Sequence, residues 1–203
     1  MSSLVRPAGD RAVLIELADS AAALGVAAAV RAQLGGQVED VVVGHRTVLI
    51  SWPQDGTAPA VDWETFVRSP APATGPEEND ITLDVRYDGP DLEDVSRIAG
   101  MNVEEFVLRH STATYRVGFI GFAPGFAYLL GGDPALAVPR RAQPRPRVEP
   151  GSVAVAGPYT TVYPTASPGG WQLIGTTTAT IFDPGRNPPA LLAPGARVRL
   201  RAS

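Results

Sequence analysis

Residues 115–175 contain YRVGFIGFAPGFAYL from Tyr115, VPRRAQPRPRVEPGSVAVAG from Val138 and YPTASPGGWQLIG from Tyr163, blocks in which glycine, proline and aromatic residues recur every few positions. A helix interior loses roughly 1 kcal/mol for each Gly and 3 for each Pro relative to Ala, so this stretch is not helical. It reads as short strands joined by tight turns. Tyr115, Val117 and Phe119 alternate and are expected to fill a barrel, which Thr178 to Phe182 and Arg197 to Leu200 complete as the last strands.

Upstream, Ile81, Leu83, Val85 and Tyr87 alternate with polar residues as in a half-buried strand. Asp91 reads as the cap of a helix with Leu92, Val95 and Ile98 on one side and Gly100 at its end. Asn102 with Glu105 three residues on is a capping-box pattern, and it starts a helix with Val103, Phe106, Val107 and His110 on one face. The run SPAPATGPEEND, residues 69–80, has nothing for a core and reads as a linker. Before it come a strand at Val13 to Leu17, an Ala-rich helix from Ser20 to Leu34 stopped by Gly35-Gly36, and strands at Val38 to Val43 and Thr47 to Ser51. A short helix follows from Val61 to Arg68, carrying Trp63 and Phe66. The expected class is α+β, with a small N-terminal α/β two-layer domain (residues 1–72) followed by a C-terminal β-barrel domain with two helices (residues 80–203).

Composition narrows the chemistry. All 17 basic residues are Arg, there is no Cys, and the histidines are His45 and His110. Within this chain, no Lys means no Schiff-base lysine, phosphate-loop lysine or Ser/Lys amidase dyad, and no Cys means no thiol nucleophile or thiolate metal site. Two histidines cannot supply a three-histidine zinc site, and no metal ligand set is expected. A net charge of −4 gives no reason to expect nucleic-acid binding. MSSLVRPAGDRAVLIEL lacks a signal-peptide core and no segment reaches the ~18 apolar residues of a membrane span, so a soluble, cytoplasmic protein without a membrane partner is expected.

GFIGFAPGFAYL, VPRRAQPRPRVEPGSVAVAG, YPTASPGGWQLIG and FDPGRNPPALLAPGARVRL, with PAGDRAVLIEL and YDGPDLEDV before them, together resemble the allophanate hydrolase subunit 1 family. That family includes the B subunit of the bacterial 5-oxoprolinase and a sporulation-kinase inhibitor. The resemblance implies a cyclophilin-like C-terminal barrel. Allophanate hydrolysis itself relies on a Ser-Ser-Lys arrangement that a chain without Lys cannot form. The role implied instead is ATP-dependent opening of 5-oxo-L-proline to L-glutamate, by a complex with allophanate hydrolase subunit 2 (the C subunit of 5-oxoprolinase) and with the A subunit of the same enzyme. ATP is the implied cofactor, held here or by a partner, with Mg alongside it. The alternative reading is a non-catalytic module that inhibits a sensor histidine kinase.

Carboxylate, phosphoryl group and nucleotide are all anionic, so Arg140, Arg141, Arg145 and Arg147, spaced by prolines, form the expected anion-binding segment. The family motif favours Arg140 and Arg145, which with His110 are the catalytic candidates. His110 is a general acid or base on one reading and a helix C-terminal cap on the other. Tyr115, Arg116, Phe122, Pro124, Gly125, Phe126, Arg147, Tyr159 and Trp171 are expected at the substrate pocket or at an interface with a partner, with Pro124-Gly125 forming a turn. Ser167 lacks a G-x-S-x-G elbow and is read as part of a turn presenting Trp171. Relatives usually carry Gln where this chain has Tyr159, Gly where it has Thr161, and Tyr where it has His45.

Overall fold

A computed structural model describes residues 4–68 and 80–203, so the expected linker lies outside the described residues except for Asp80. The chain divides into two compact units, residues 1–77 and 78–203.

In the first unit, strands β1 (Leu4–Pro7), β2 (Ala12–Glu16), β3 (Asp40–Val43) and β4 (Thr47–Ser51) form an antiparallel sheet in the order β1-β2-β4-β3. Helix α1 (Ser20–Leu34) starts where Asp19 accepts the Ala22 N–H at 2.8 Å, and it buries Ala23, Val26, Ala27 and Val30. β3 begins at Asp40 and not at Val38, because the Gln37 and Val38 amides bond back to the Leu34 carbonyl and prolong the helix end as a turn. Helix α2 (Trp63–Arg68) starts later than expected, because Asp62 accepts the Glu64 and Thr65 amides and so caps it. β1, which pairs with β2, had no sequence expectation.

In the second unit, β5 (Asp80–Val85), α3 (Leu92–Ile98), α4 (Val103–Thr112), β6 (Thr114–Ile120) and β7 (Ala127–Leu130) lead into a 3-10 turn at Pro134–Leu136. Strands β8 (Arg145–Val148), β9 (Ser152–Ala156), β10 (Tyr159–Val162), β11 (Ser167–Gly169), β12 (Gln172–Thr176) and β13 (Arg197–Ala202) follow. Seven of these strands form one sheet, ordered β12-β9-β10-β7-β6-β13-β5, with β13 and β5 parallel and the other pairs antiparallel. The sheet curls until its two ends meet at Arg86 and Thr176, which exchange backbone hydrogen bonds of 2.9 and 2.8 Å. With helices and strands in separate runs, the class is α+β.

The sequence SVAVA of β9 shows how this sheet works. Side chains alternate across a strand, so Val153 and Val155 enter the main core with Phe106, Leu129 and Leu200, while Ala154 and Ala156 face a second cluster with Phe126, Tyr163 and Trp171. Both faces are covered, which explains the unbroken apolar run. The ribbon β8-β11 belongs to the second cluster through Val148.

Local expectations are corrected in four places. Asp91 precedes α3 but makes no side-chain cap, because its carboxylate is engaged elsewhere. Ile98 is 50 % exposed, since the buried face of α3 runs through Leu92, Val95, Ser96 and on to Ala99, and Ile98 lies to one side of it. A register shift between Val117 and Phe119 moves Phe119 off the main core, where it stacks on Tyr128 at 4.2 Å. Residues 178–182 are not a strand; that segment pairs only at Phe182 with Ala190, in a region broken by Pro184, Pro188 and Pro189. The Asn102 side chain does accept the Glu105 amide, at 2.8 Å, as the capping-box pattern predicts.

Candidate functional site

Asp91 organises the arginine-rich segment. Its Oδ1 accepts hydrogen bonds from Arg141 and Arg145, both at 2.7 Å, and its Oδ2 accepts the Leu173 amide at 2.7 Å. The carboxylate side chain is 4 % exposed. Burial alone would raise its pKa, but the Arg145 hydrogen bond, the Leu173 amide and the two positive charges outweigh that and hold it below the ordinary carboxylate value. The Arg141 amide donates to the Gly170 carbonyl at 2.8 Å and Gln172 Nε2 donates to the Pro139 carbonyl at 3.1 Å, fixing the segment to β12 and the turn before it.

The four arginines therefore differ in what is left to them. Arg141 and Arg145 are committed to Asp91, and the exposed Arg147 pairs with Glu149 at 2.6 Å. Among the described residues Arg140 pairs with no carboxylate; its guanidinium lies 5.7 Å from the Trp171 ring centroid. Of these four, Arg140 is the one left available for a ligand among the described residues.

Arg140 borders a pocket of about 80 Å³ lined by Phe122, Phe126, Tyr128, Tyr163 and Trp171 and by the backbone turn Pro168-Gly169-Gly170. Phe126 meets Tyr163 and Trp171 edge to face at 5.2 and 5.6 Å, so the walls brace one another. On the rim, Phe122 is 66 % exposed and holds φ at 70°, a left-handed conformation that bulky side chains avoid and that is common at ligand sites. Gly125 makes the same loop possible: φ is 77°, and an added Cβ would lie 2.7 Å from the Phe182 Cβ. Among the described residues no Asp, Glu or His lines this pocket, and burial raises the Tyr163 hydroxyl pKa, so the walls bind and orient but offer no base at neutral pH.

His110 lies elsewhere. It is fully buried on α4, with Nδ1 2.8 Å from the Tyr87 hydroxyl and Nε2 3.0 Å from the Thr160 hydroxyl. With Tyr115 and Tyr159 it lines a separate cavity of about 180 Å³ that shares no residue with the aromatic pocket. Tyr115 is a core residue whose hydroxyl donates to the His110 carbonyl at 3.0 Å. Arg116 reaches outward to the Gly195 carbonyl, and Thr161 is buried with its hydroxyl donating to the Ala127 carbonyl at 2.7 Å. The Tyr159 ring packs edge-on against Tyr128 at 5.4 Å, behind the aromatic pocket.

Burial lowers the His110 pKa from its ordinary 6.5 to about 3, so the folded protein holds the ring neutral. Its contribution to stability is complete above pH 6.5 and is lost as the pH falls from there towards 3, because only the unfolded chain readily takes up the proton. An NMR titration is expected to show the His110 ring still neutral at pH 5, with thermal stability declining below pH 6.5 more shallowly in His110→Gln. A ring that protonates near 6.5 would contradict the burial.

Asp91, Tyr163 and Gln172 were missed as site residues. For Asp91 a signal existed in YDGPDLEDV, an acid inside a family motif, but a helix-capping role accounts locally for the same residue.

The chain matches the carboxyltransferase domain family, subdomains C and D, over residues 3–192, and belongs to it. This is the family of allophanate hydrolase subunit 1 and the 5-oxoprolinase B subunit. The chain is 43 % identical over 161 residues to the 5-oxoprolinase B subunit of Escherichia coli O157:H7, the match covering 75 % of this chain and 72 % of that protein. Of solved structures, TTHA0988 superposes with a TM-score of 0.80 at 32 % identity over 98 % of this chain, which spans only 40 % of that protein. The urea amidolyase of Kluyveromyces lactis shares the fold, with a TM-score of 0.69 at 18 % identity over 99 % of this chain and 15 % of that one. Among the described residues no helix is long and apolar enough to cross a membrane.

Proposed function

We propose that this chain is the B-type subunit of an ATP-dependent 5-oxoprolinase, which cleaves 5-oxo-L-proline to L-glutamate with hydrolysis of ATP. The active site is shared with a second barrel subunit, the C subunit of 5-oxoprolinase (allophanate hydrolase subunit 2), and the complex is completed by the enzyme's A subunit. The observation that carries this reading is the 43 % identity to the E. coli B subunit over 72 % of its length.

The aromatic pocket supports it. 5-Oxoproline is a small flat ring bearing one carboxylate, and the pocket has aromatic walls and one uncommitted guanidinium. Arg140 is assigned the substrate carboxylate, while Arg145 and His110 take structural roles at Asp91 and in the core. A site without its own base needs a partner to activate water, which accounts for a shared active site. Bound ATP supplies a phosphoryl group that activates the lactam carbonyl oxygen. This chain offers guanidinium groups to such an anion. Among the described residues no cluster of three or more His, Asp or Glu side chains is placed to hold a metal, so Mg is assigned to the nucleotide.

The kinase-inhibitor reading needs only an outer docking surface, and an arginine-bearing pocket favours a small-molecule site over it. Purified alone, the chain is expected to release no glutamate from 5-oxoproline; combined with its A and C partners it is expected to do so only with ATP and magnesium. A complex that forms and leaves 5-oxoproline untouched would remove this substrate.

A further inference from the structure

Arg140 also borders a second, larger opening. This cleft of about 470 Å³ is lined by Asp94, Arg97, Arg140, Arg141, Gln143 and Gln172, with apolar residues between them. Arg97 is held by Asp94, and Arg141 shares the buried Asp91 with Arg145. The lining thus carries three guanidinium groups and one carboxylate, Asp94, and the excess positive charge is concentrated at Arg140 and Arg141.

We infer that this cleft is a binding site for a phosphoryl group. Planar guanidinium forks converging on one opening match an anion with three terminal oxygens and more than one negative charge, whereas a single carboxylate needs only one fork. The volume exceeds that of phosphate and leaves room for whatever carries it. Glutamine amides add neutral donors, and Gln172 is held in place by its bond to the Pro139 carbonyl. The inference deepens the proposed function and borrows from it only the idea that a phosphoryl donor belongs here; Arg140 then borders both ligands, the carboxylate on its aromatic side and the phosphoryl group on the other.

The test is isothermal titration of the full chain at low ionic strength with inorganic phosphate, with ATP, and with acetate as a carboxylate control. Arg97→Gln and Arg140→Gln alter the cleft, and Arg147→Gln alters an exposed arginine outside it. Saturable binding of phosphate or ATP is expected, weakened about tenfold in each cleft variant and little changed in Arg147→Gln. Tighter binding of ATP than of phosphate identifies a nucleotide as the source, and equal binding identifies free phosphate. No saturable binding, binding no stronger than that of acetate, or equal loss in all three variants overturns the inference; thermal unfolding of each variant separates lost binding from lost fold. Because the titration uses the isolated chain, a chain that binds phosphate in a complex inert towards 5-oxoproline refutes the substrate and leaves the cleft standing.

Discussion

Asp91→Ala is expected to lower the melting temperature by roughly 10–20 °C, corresponding to about 3–5 kcal/mol for breaking a buried ion pair. The carboxylate accepts bonds from Arg141, Arg145 and the Leu173 amide, so its loss leaves two partly buried cations facing each other and strands a buried backbone donor. Asp91→Asn keeps the shape but not the charge and should recover only a minor part of the loss. The exposed pair Arg201–Asp84 is the control, since removing Asp84 should change little. The pH dependence has a definite sign: a carboxyl whose folded pKa lies below its unfolded value stabilises the protein above the unfolded value of about 3.9. That contribution is lost as the pH falls through the folded pKa. A melting temperature within a few degrees of the parent, measured by calorimetry, would show that Asp91 is not the centre of this segment.

Arg140→Gln is expected to lower kcat/KM for 5-oxoproline by about 100-fold in the assembled complex, the scale of a charged hydrogen bond lost from a desolvated site. Its melting temperature should barely move, because Arg140 overlies Trp171 and among the described residues neutralises no carboxylate. That combination separates it from Arg145→Gln, which should lose stability together with activity because Arg145 holds Asp91. A full loss of turnover in Arg145→Gln at unchanged stability would reverse the assignment of the two arginines.

The contrast between Asp91 and Asn102 shows what the sequence made legible. Both stand just before a helix, and the same local rule applies to both. It holds for Asn102, whose partner is three residues away, and fails for Asp91, whose partners lie 50, 54 and 82 residues on. Periodicity likewise located β5 and α4 but not the bulge that turns Phe119 out of the core, because a bulge is set by the strand it pairs with. The arginine-rich segment was visible as a source of positive charge. Which of its arginines remained free depended on where Asp91 and Glu149 fell in space, and spacing along the chain does not encode that.

The central claim, that Arg140 holds the substrate carboxylate, is tested most directly by comparing 5-oxoproline with 2-pyrrolidinone, the same lactam without the carboxylate, in complexes built from the parent chain and from Arg140→Gln. The account predicts a preference of about 100-fold for 5-oxoproline in the parent that largely disappears in the variant, since the charge and its partner form one interaction. A preference of equal size in both complexes would place the carboxylate on another residue and contradict the assignment.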